Sequence, residues 1–264
     1  MAMTKNRLKE LRELSAKKHR NGRKKFLVEG IRSTQEAAES DFEITEVIYT
    51  GDLNRHESGK VLLEKLRRKT SRVEQITVRE MNSIADTVTA QGVVAVVRQK
   101  TVSVDQLLET KTAHSTLVAF DGVADPGNLG SMIRTCDWFG VNGVLLGKNC
   151  VELYNPKVLR GTMGGVFHLP IADEVDLLST ISRSRELGYR VYVTDAAGET
   201  HFDRALFANK AIIVFGNEAW GVSDQVKRLA DVRVAIRRYG AAESLNVGVA
   251  CGIILSTLHK LYDE

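Results

Sequence analysis

The sequence predicts an α/β protein: a mainly parallel sheet covered on both faces in the C-terminal half, preceded by a smaller α/β unit. Two observations carry this. Apolar runs of strand length alternate with stretches of helical period along the chain, joined by short connections. From Leu117 onward, three strands run into loops that combine glycine with a few polar groups. In an open parallel sheet, such loops gather at the carboxyl ends of the strands, where ligands bind.

Taken in order, the basic opening segment places Leu8, Leu11 and Leu14 at three-residue spacing, as on an amphipathic helix. Phe26–Glu29 reads as a strand, Gly30 turns the chain into a helix over Ser33–Ser40, and Ile44–Tyr49 is a second strand. Lys60–Lys69 reads as a basic helix, Arg72–Thr77 as a strand and Arg79–Ala85 as a short helix. The apolar run Val93–Val97 closes this first unit near residue 98. Residues 99–115 are polar, with a short helical piece at Val104–Leu108, and suit a linker.

The second half opens with a buried strand, Leu117–Phe120. Leu129, Met132, Ile133, Cys136 and Phe139 then form one apolar stripe at helical period, with Asn128 at the N-cap position and Gly140 just past the end. Val144–Leu146 is a strand, and Asn155–Pro156 opens a helix that Gly161, Gly164 and Gly165 break before a strand at Val166–Pro170. A helix is expected over Asp173–Leu187, closed by Gly188, and strands over Arg190–Thr194, Ala211–Phe215 and Val232–Ile236. Ser223 caps a short helix to Leu229. The last helix, Leu245–Leu261, is apolar nearly all round in its first half and is expected to be buried.

At 264 residues, with 43% hydrophobic and 27% charged residues, the chain has ample core for two domains. No run approaches the ~18 apolar residues of a membrane span, and the basic N-terminus lacks the apolar stretch of an export signal. Cys136, Cys150 and Cys251 are widely spaced in apolar surroundings, as expected of reduced thiols in a cytoplasmic protein. The net charge of +4 hides an asymmetry: residues 1–25 carry +8 and the remainder −4. A basic arm on a nearly neutral body points to a polyanion, most simply nucleic acid, although a solvated amphipathic helix has the same composition.

The three glycine-bearing loops, Asp121–Arg134, Gly216–Gly221 and Arg237–Asn246, place Asn128, Arg134, Glu218, Ser244 and Asn246 as candidate neighbours. No G-x-G-x-x-G follows a strand and no G-x-x-x-x-G-K-[ST] occurs, which argues against dinucleotide and ATP sites. The six histidines are scattered without metal-ligand spacing, so no metal is expected.

The motifs in these loops go further. Asp121-Gly122-Val123-Ala124-Asp125-Pro126-Gly127-Asn128-Leu129-Gly130, followed by Arg134, resembles the first motif of the SpoU (TrmH-like) family of RNA ribose 2′-O-methyltransferases in the SPOUT superfamily. Phe215-Gly216-Asn217-Glu218-Ala219-Trp220-Gly221 resembles its second motif, and Ile236 with Glu243-Ser244-Leu245-Asn246-Val247 its third, in the family's order and separation. Residues 26–98, with Val28-Glu29-Gly30 and Gln91-Gly92-Val93-Val94-Ala95-Val96-Val97, resemble the RNA-binding domain that many members carry ahead of the catalytic part. The implied layout is a basic arm over 1–25, an RNA substrate-binding domain over 26–98, a linker over 99–115 and a methyltransferase domain over 116–264.

The resemblance implies S-adenosylmethionine as methyl donor, a deep trefoil knot, an obligate homodimer and RNA as substrate, ribosomal rather than transfer RNA. Carried over by position, cofactor contacts fall at Thr194, Ala196, Gly216, Asn217, Ile236, Ser244 and Leu245. The catalytic and structural polar positions fall at Asn128, Arg134, Glu218, Ser244 and Asn246. The sequence departs from the family at Arg237, where proline is usual, and at Thr162-Met163-Gly164 in place of Ser-Ala-Gly. A guanidinium is a poor general base, so Arg134 is expected to hold the phosphate beside the target ribose and to stabilise the developing alkoxide. Individually these residues have plain alternatives: a solvated helix arginine for Arg134, a first-turn glutamate for Glu218, an N-cap for Ser244. Trp138 and Trp220 are expected in packing or an interface. A non-catalytic RNA-binding or assembly protein of the same fold, a base methyltransferase, and an enzyme acting on transfer RNA are the competing readings.

Overall fold

The computed structural model describes residues 3–87, 90–110, 112–198, 200–201 and 207–259. The chain forms two compact units, one of residues 1–100 with 154–167, the other of residues 101–153 with 168 onward.

The first unit is built on four strands, β1 (Lys25–Glu29), β2 (Ile44–Thr50), β3 (Val73–Ile76) and β4 (Val93–Arg98), in the order β1-β4-β2-β3. β4 runs antiparallel to both neighbours, while β2 and β3 are parallel. Its first helices are α1 (Lys5–Glu13) and α2 (Lys17–Arg23), followed by α3 (Ile31–Glu39), α4 (Glu57–Lys69) and α5 (Val78–Ile84).

The basic opening segment is thus a folded part of this unit rather than a free arm. Met3, Leu11 and Leu14 are buried in one cluster with Ile48, Ile76, Met81, Ile84, Val94 and Val96. Its arginines are tied inward as well. The Arg7 guanidinium bonds the Glu46 and Glu10 carboxylates; burial pulls its pKa down, but the two carboxylates outweigh that and raise it. Arg12 donates to the Ser83 carbonyl at 2.8 Å, Arg20 is buried and donates to the Leu14 carbonyl at 3.0 Å, and Arg23 reaches Glu13.

A piece of the second half also joins this unit. Helix α8 (Pro156–Thr162) is capped by Asn155, with Pro156 in the first turn as the sequence predicts. Tyr154 stacks on Phe26 with ring centroids 4.4 Å apart, Phe167 meets Phe42 edge-on at 5.1 Å, and Arg160 pairs with Asp86 at 2.7 Å. Through this packing residues 154–167 belong to the first unit, although the segments before and after them in sequence belong to the second. The boundaries expected at 98 and 116 therefore differ from the compact units.

The second unit holds a seven-stranded sheet of β5 (Ser115–Asp121), β6 (Gly143–Gly147), β7 (Ile171–Val175), β8 (Arg190–Thr194), β9 (Thr200–His201), β10 (Lys210–Gly216) and β11 (Val232–Ala235). The order is β7-β6-β5-β10-β8-β11-β9, and every pairing is parallel. One sheet face, with Leu117, Ala119, Val191, Val193, Ile212 and Val214, packs on α6 (Val104–Leu108), α9 (Leu177–Glu186) and α10 (Asp224–Arg228). The alternate residues Val118, Phe120, Ile213 and Phe215 are equally buried. On that side α11 (Val247–His259) packs on β10 and on α7 (Pro126–Trp138). Alternation along each strand feeds both layers.

Several expected elements move. The expected linker contributes α6, whose Leu107 and Leu108 are core residues of the second unit. The strand expected at Val166–Pro170 is instead a 3-10 turn over Gly165–Phe167, and the strand β7 begins at Ile171. The helix expected from Asp173 starts after Asp176, whose carboxylate accepts from the Ser179 amide at 3.2 Å. The expected end of the last helix at Leu261 lies outside the described residues. Its first half is only partly covered: Val249 is 52% and Ile253 40% exposed. Cys136 and Cys251 are buried and Cys150 half-buried, all as free thiols. Burial pushes the Cys150 thiol up to about 11.

Candidate active site

Because the sheet is parallel, the loops after β5, β8, β10 and β11 leave from one edge. The loop after β10 is a tight ring. The Asn217 amide donates to the Gly221 carbonyl, and the Gly221 amide donates back to the Asn217 carbonyl, both at 2.9 Å. The Asn217 side chain donates to the Gly122 carbonyl at 2.7 Å and accepts from the Ala219 amide at 2.8 Å. A Cβ on Gly216 would lie 2.1 Å from the backbone of Gly221 and Val222, so the ring closes only over glycine. Asp121, at the end of β5, accepts from the Ser223 amide at 2.8 Å and ties the far side of the ring to the neighbouring strand.

The ring presents Glu218 to the start of α7. Glu218 Oε1 accepts from the Asn128 side-chain amide at 2.9 Å and from the Asp125 amide at 3.2 Å, and Oε2 accepts from the Ala124 amide at 3.3 Å. Burial works to raise the Glu218 pKa, but the bonds from Asn128 and from the backbone outweigh it and hold the carboxyl below its usual range. Such a carboxylate is a weak base and a firm acceptor. Asn128 Oδ1 in turn accepts from Asn246 Nδ2 at 3.0 Å, and Asn246 Oδ1 accepts from the Gly248 and Val249 amides at 2.8 and 3.3 Å. One chain of side-chain hydrogen bonds thus connects all three glycine-bearing loops.

Two capping expectations are corrected by this arrangement. Asp125, not Asn128, caps α7: its Oδ1 accepts from the Asn128 amide at 2.7 Å, and Pro126 occupies the first helical turn. Asn246, not Ser244, caps α11, because its side chain satisfies the first free amides of that helix. Ser244 is exposed on the loop and makes no side-chain hydrogen bond among the described residues. Asp125 is legible as Asp followed by Pro at a helix start; the tie from Asp121 to Ser223 has no sequence signature.

Asn128, Glu218 and Asn246 are therefore brought together, and Arg134 is not. It lies six residues beyond Asn128 on α7, about 9 Å along the axis and roughly a third of a turn away. It is exposed and makes no side-chain hydrogen bond among the described residues. Trp138, one turn further on the same face, is 82% exposed, so it is not packed within the chain. Leu245, Val249 and Ile253 add an apolar stripe before and along α11.

Of the expected cofactor positions, Thr194 is the last residue of β8 and spends its hydroxyl on the Val214 carbonyl at 3.1 Å. Asp195 closes a turn by accepting from the Ala197 amide at 3.0 Å, with Lys227 3.7 Å from its carboxylate. The Ala196 and Leu245 amides have no acceptor among the described residues. Gly216 is the last residue of β10 and Ile236 the first residue after β11, whereas Asn217 is consumed in forming its ring. Strand-end loops with free backbone amides and a close-approach glycine suit a cofactor held by main-chain groups and shape. Among the described residues no His, Cys, Asp and Glu cluster could hold a metal, and no helix is long and apolar enough to cross a membrane.

Comparison with known proteins finds matches for both parts of the chain. Residues 115–256 match the profile of the SpoU rRNA Methylase family, and residues 5–95 that of the MRM3-like substrate binding domain. The 23S rRNA (guanosine(2553)-2'-O)-methyltransferase RlmP of Bacillus subtilis is 28% identical over 94% of each chain. The structure of AviRb, a SpoU methyltransferase of Streptomyces viridochromogenes in complex with AdoMet, superposes with a TM-score of 0.85 at 26% identity, covering 99% of both chains. An AdoMet-bound rRNA methyltransferase from Sinorhizobium meliloti gives the same score and identity, covering 98% of this chain and 96% of that one.

Proposed function

We propose, from the premise that the chain belongs to the SpoU rRNA methylase family, that it transfers a methyl group from S-adenosylmethionine to a ribose 2′-hydroxyl of ribosomal RNA. The observation that carries this reading is the hydrogen-bonded chain Glu218–Asn128–Asn246, which joins three loops at the ligand-binding edge of the matched domain. The free amides of Ala196 and Leu245 on that edge go beyond what a non-catalytic protein of the same fold would need.

Thr194, Ala196, Gly216, Ile236 and Leu245 would hold the cofactor through backbone groups, with Ser244 at the rim. The bound cofactor supplies a methyl group activated by its sulfonium. What remains for the protein is alignment of the ribose hydroxyl and removal of its proton. Glu218, held ionised by its donors, fixes the loop before α7 rather than accepting a proton. Asn128 and Asn246 set the relative position of α7 and α11. Arg134 would hold the phosphate beside the target ribose and stabilise the alkoxide as the proton leaves to solvent water.

A homodimer belongs to this reading. It is supported by the exposed Trp138, Val249 and Ile253 on the two adjacent helices α7 and α11. Arg134 shares the Trp138 face and stands apart from its own Asn128, as expected of an arginine that serves the partner's site. The trefoil knot is carried with the same reading, supported by α11 returning from β11, on the far side of β8, to pack on α7. The first unit would engage the RNA, and the cytoplasm, where ribosomal RNA is found, would be the place of action.

The test has two arms. Calorimetry should show S-adenosylmethionine binding, and no binding at millimolar cofactor would sink the enzyme reading. Mapping of 2′-O-methyl positions in ribosomal RNA with and without the gene should reveal one lost site. A lost base methylation, or a lost site in transfer RNA only, would overturn the substrate assignment.

A further inference from the structure

The loop between β11 and α11 carries a feature that the cofactor site does not use. Arg237, which replaces the family's usual proline, places its guanidinium carbon 5.5 Å from the ring centroid of Tyr239. Tyr239 is 88% exposed, the largest exposure among the big apolar and aromatic side chains of the described residues. One ring face is therefore backed by a cation while the other is open. Arg238 is exposed beside it, and the acid of the same loop, Glu243, lies four residues further on. Seven residues after Tyr239 the chain reaches Asn246, which is bonded to Asn128 in the site itself.

An exposed tyrosine loses little by being covered, and a guanidinium stacked behind it limits its freedom and adds positive potential. The matching partner is a flat, electron-rich ring attached to an anionic backbone. A nucleobase has both properties, and only an unpaired one can offer its face. A duplex hides its base faces in the stack, and an apolar protein surface would leave two arginines without counter-charges.

We infer that Tyr239, backed by Arg237 and flanked by Arg238, is a stacking platform for an unpaired nucleobase of the RNA substrate, next to the methyl-transfer site. The inference rests on the proposed function for its ligand class, but its test does not depend on methyl transfer. Arg238 then meets a phosphate of the same strand, and Arg237, which departs from the family at this loop, helps to select the substrate.

The experiment measures fluorescence anisotropy of a short fluorescein-labelled unpaired RNA, and of the same strand annealed into a duplex, with the full-length wild type, Tyr239→Ala and Tyr239→Phe. Calorimetry with S-adenosylmethionine accompanies it. Tyr239→Ala should weaken binding of the unpaired strand about five- to a hundredfold, the range for loss of one base–aromatic stack. Tyr239→Phe should keep wild-type affinity, while duplex and cofactor binding stay unchanged in both variants. Equal affinity of Tyr239→Ala and wild type for the unpaired strand overturns the inference. So does an equal loss on the duplex, or a loss of cofactor affinity that would make Tyr239 part of the cofactor pocket. If the wild type binds RNA yet transfers no methyl group, the function fails and the platform is still decided by these affinities. If the wild type binds no RNA, both fall.

Discussion

The Glu218 carboxylate accepts a hydrogen bond from the Asn128 side-chain amide at 2.9 Å across a sequence separation of 90 residues. That bond, with the two backbone amides at Ala124 and Asp125, anchors the loop before α7 to the ring after β10. Glu218→Gln keeps the shape but replaces an ionised acceptor by a neutral one. We expect it to cost about 1–2 kcal/mol of stability, the difference between a hydrogen bond to a charged group and one to a neutral group, and to lower methyl transfer. The Glu218 pKa is depressed in the folded state, so its contribution is fully present above the unfolded value and fades as pH falls through the lower folded value. Urea unfolding followed from neutral to acid pH should therefore show a shallower acid limb in Glu218→Gln than in wild type. Parallel limbs would mean that the carboxylate carries no such charge-dependent interaction.

Gly216 supports the same ring by offering no side chain. An added Cβ would sit 2.1 Å from Gly221 and Val222 backbone atoms, where no flexible group can give way. Gly216→Ala is expected to lose roughly 2–4 kcal/mol, at the upper end of single substitutions, and to abolish cofactor binding by calorimetry. Gly240→Ala is the control, since a Cβ there meets nothing within 4 Å. A Gly216→Ala protein that unfolds and binds cofactor like wild type would show that the ring does not need its close approach.

Much of the second unit is legible from local pattern, and the places where pattern misleads have identifiable causes. The parallel sheet follows from apolar runs such as Leu117–Phe120 and Ala211–Phe215, and the candidate loops from glycines after strands. Pattern misplaces the cap of α7 because Asn128 is also a good cap residue, while Asp125-Pro126 carries the stronger signal. Residues 154–167 join the first unit through Tyr154 and Phe167 packing on rings more than a hundred residues away, a tertiary effect with no local trace. Arg134 groups with Asn128 in sequence because both lie in one motif. The helical rotation between positions 128 and 134 separates them within one chain.

That separation yields a sharp test of subunit sharing. Mixed dimers of Arg134→Ala with Asn246→Ala, co-expressed with different tags and purified through both, contain one intact site if Arg134 serves the partner. The subunit that keeps Asn246 then receives the intact arginine of its neighbour. If Arg134 serves its own chain, each site in the mixed dimer lacks one group. We expect both homodimers to be inactive and the mixed dimer to recover a measurable part of wild-type methyl transfer. Absence of recovery, with the dimer intact by light scattering, would assign Arg134 to its own site.

The basic opening segment calls for a different experiment from simple truncation. Leu11 and Leu14 are buried against Met81, Ile84 and Val94, so removing residues 1–25 would strip the core of the first unit. Loss of RNA binding in such a truncation would report unfolding. Lys5, Lys9 and Lys18 are exposed, whereas Arg7, Arg12, Arg20 and Arg23 hold internal partners. The triple variant Lys5→Glu, Lys9→Glu, Lys18→Glu should therefore keep the fold, read as an unchanged circular dichroism spectrum and melting temperature, while RNA affinity falls. The slope of log affinity against log salt should flatten by roughly 0.7–0.9 for each phosphate that the variant no longer neutralises. Unchanged affinity and slope in a folded variant would show that these lysines are a solvated face and that the RNA lies elsewhere on the first unit.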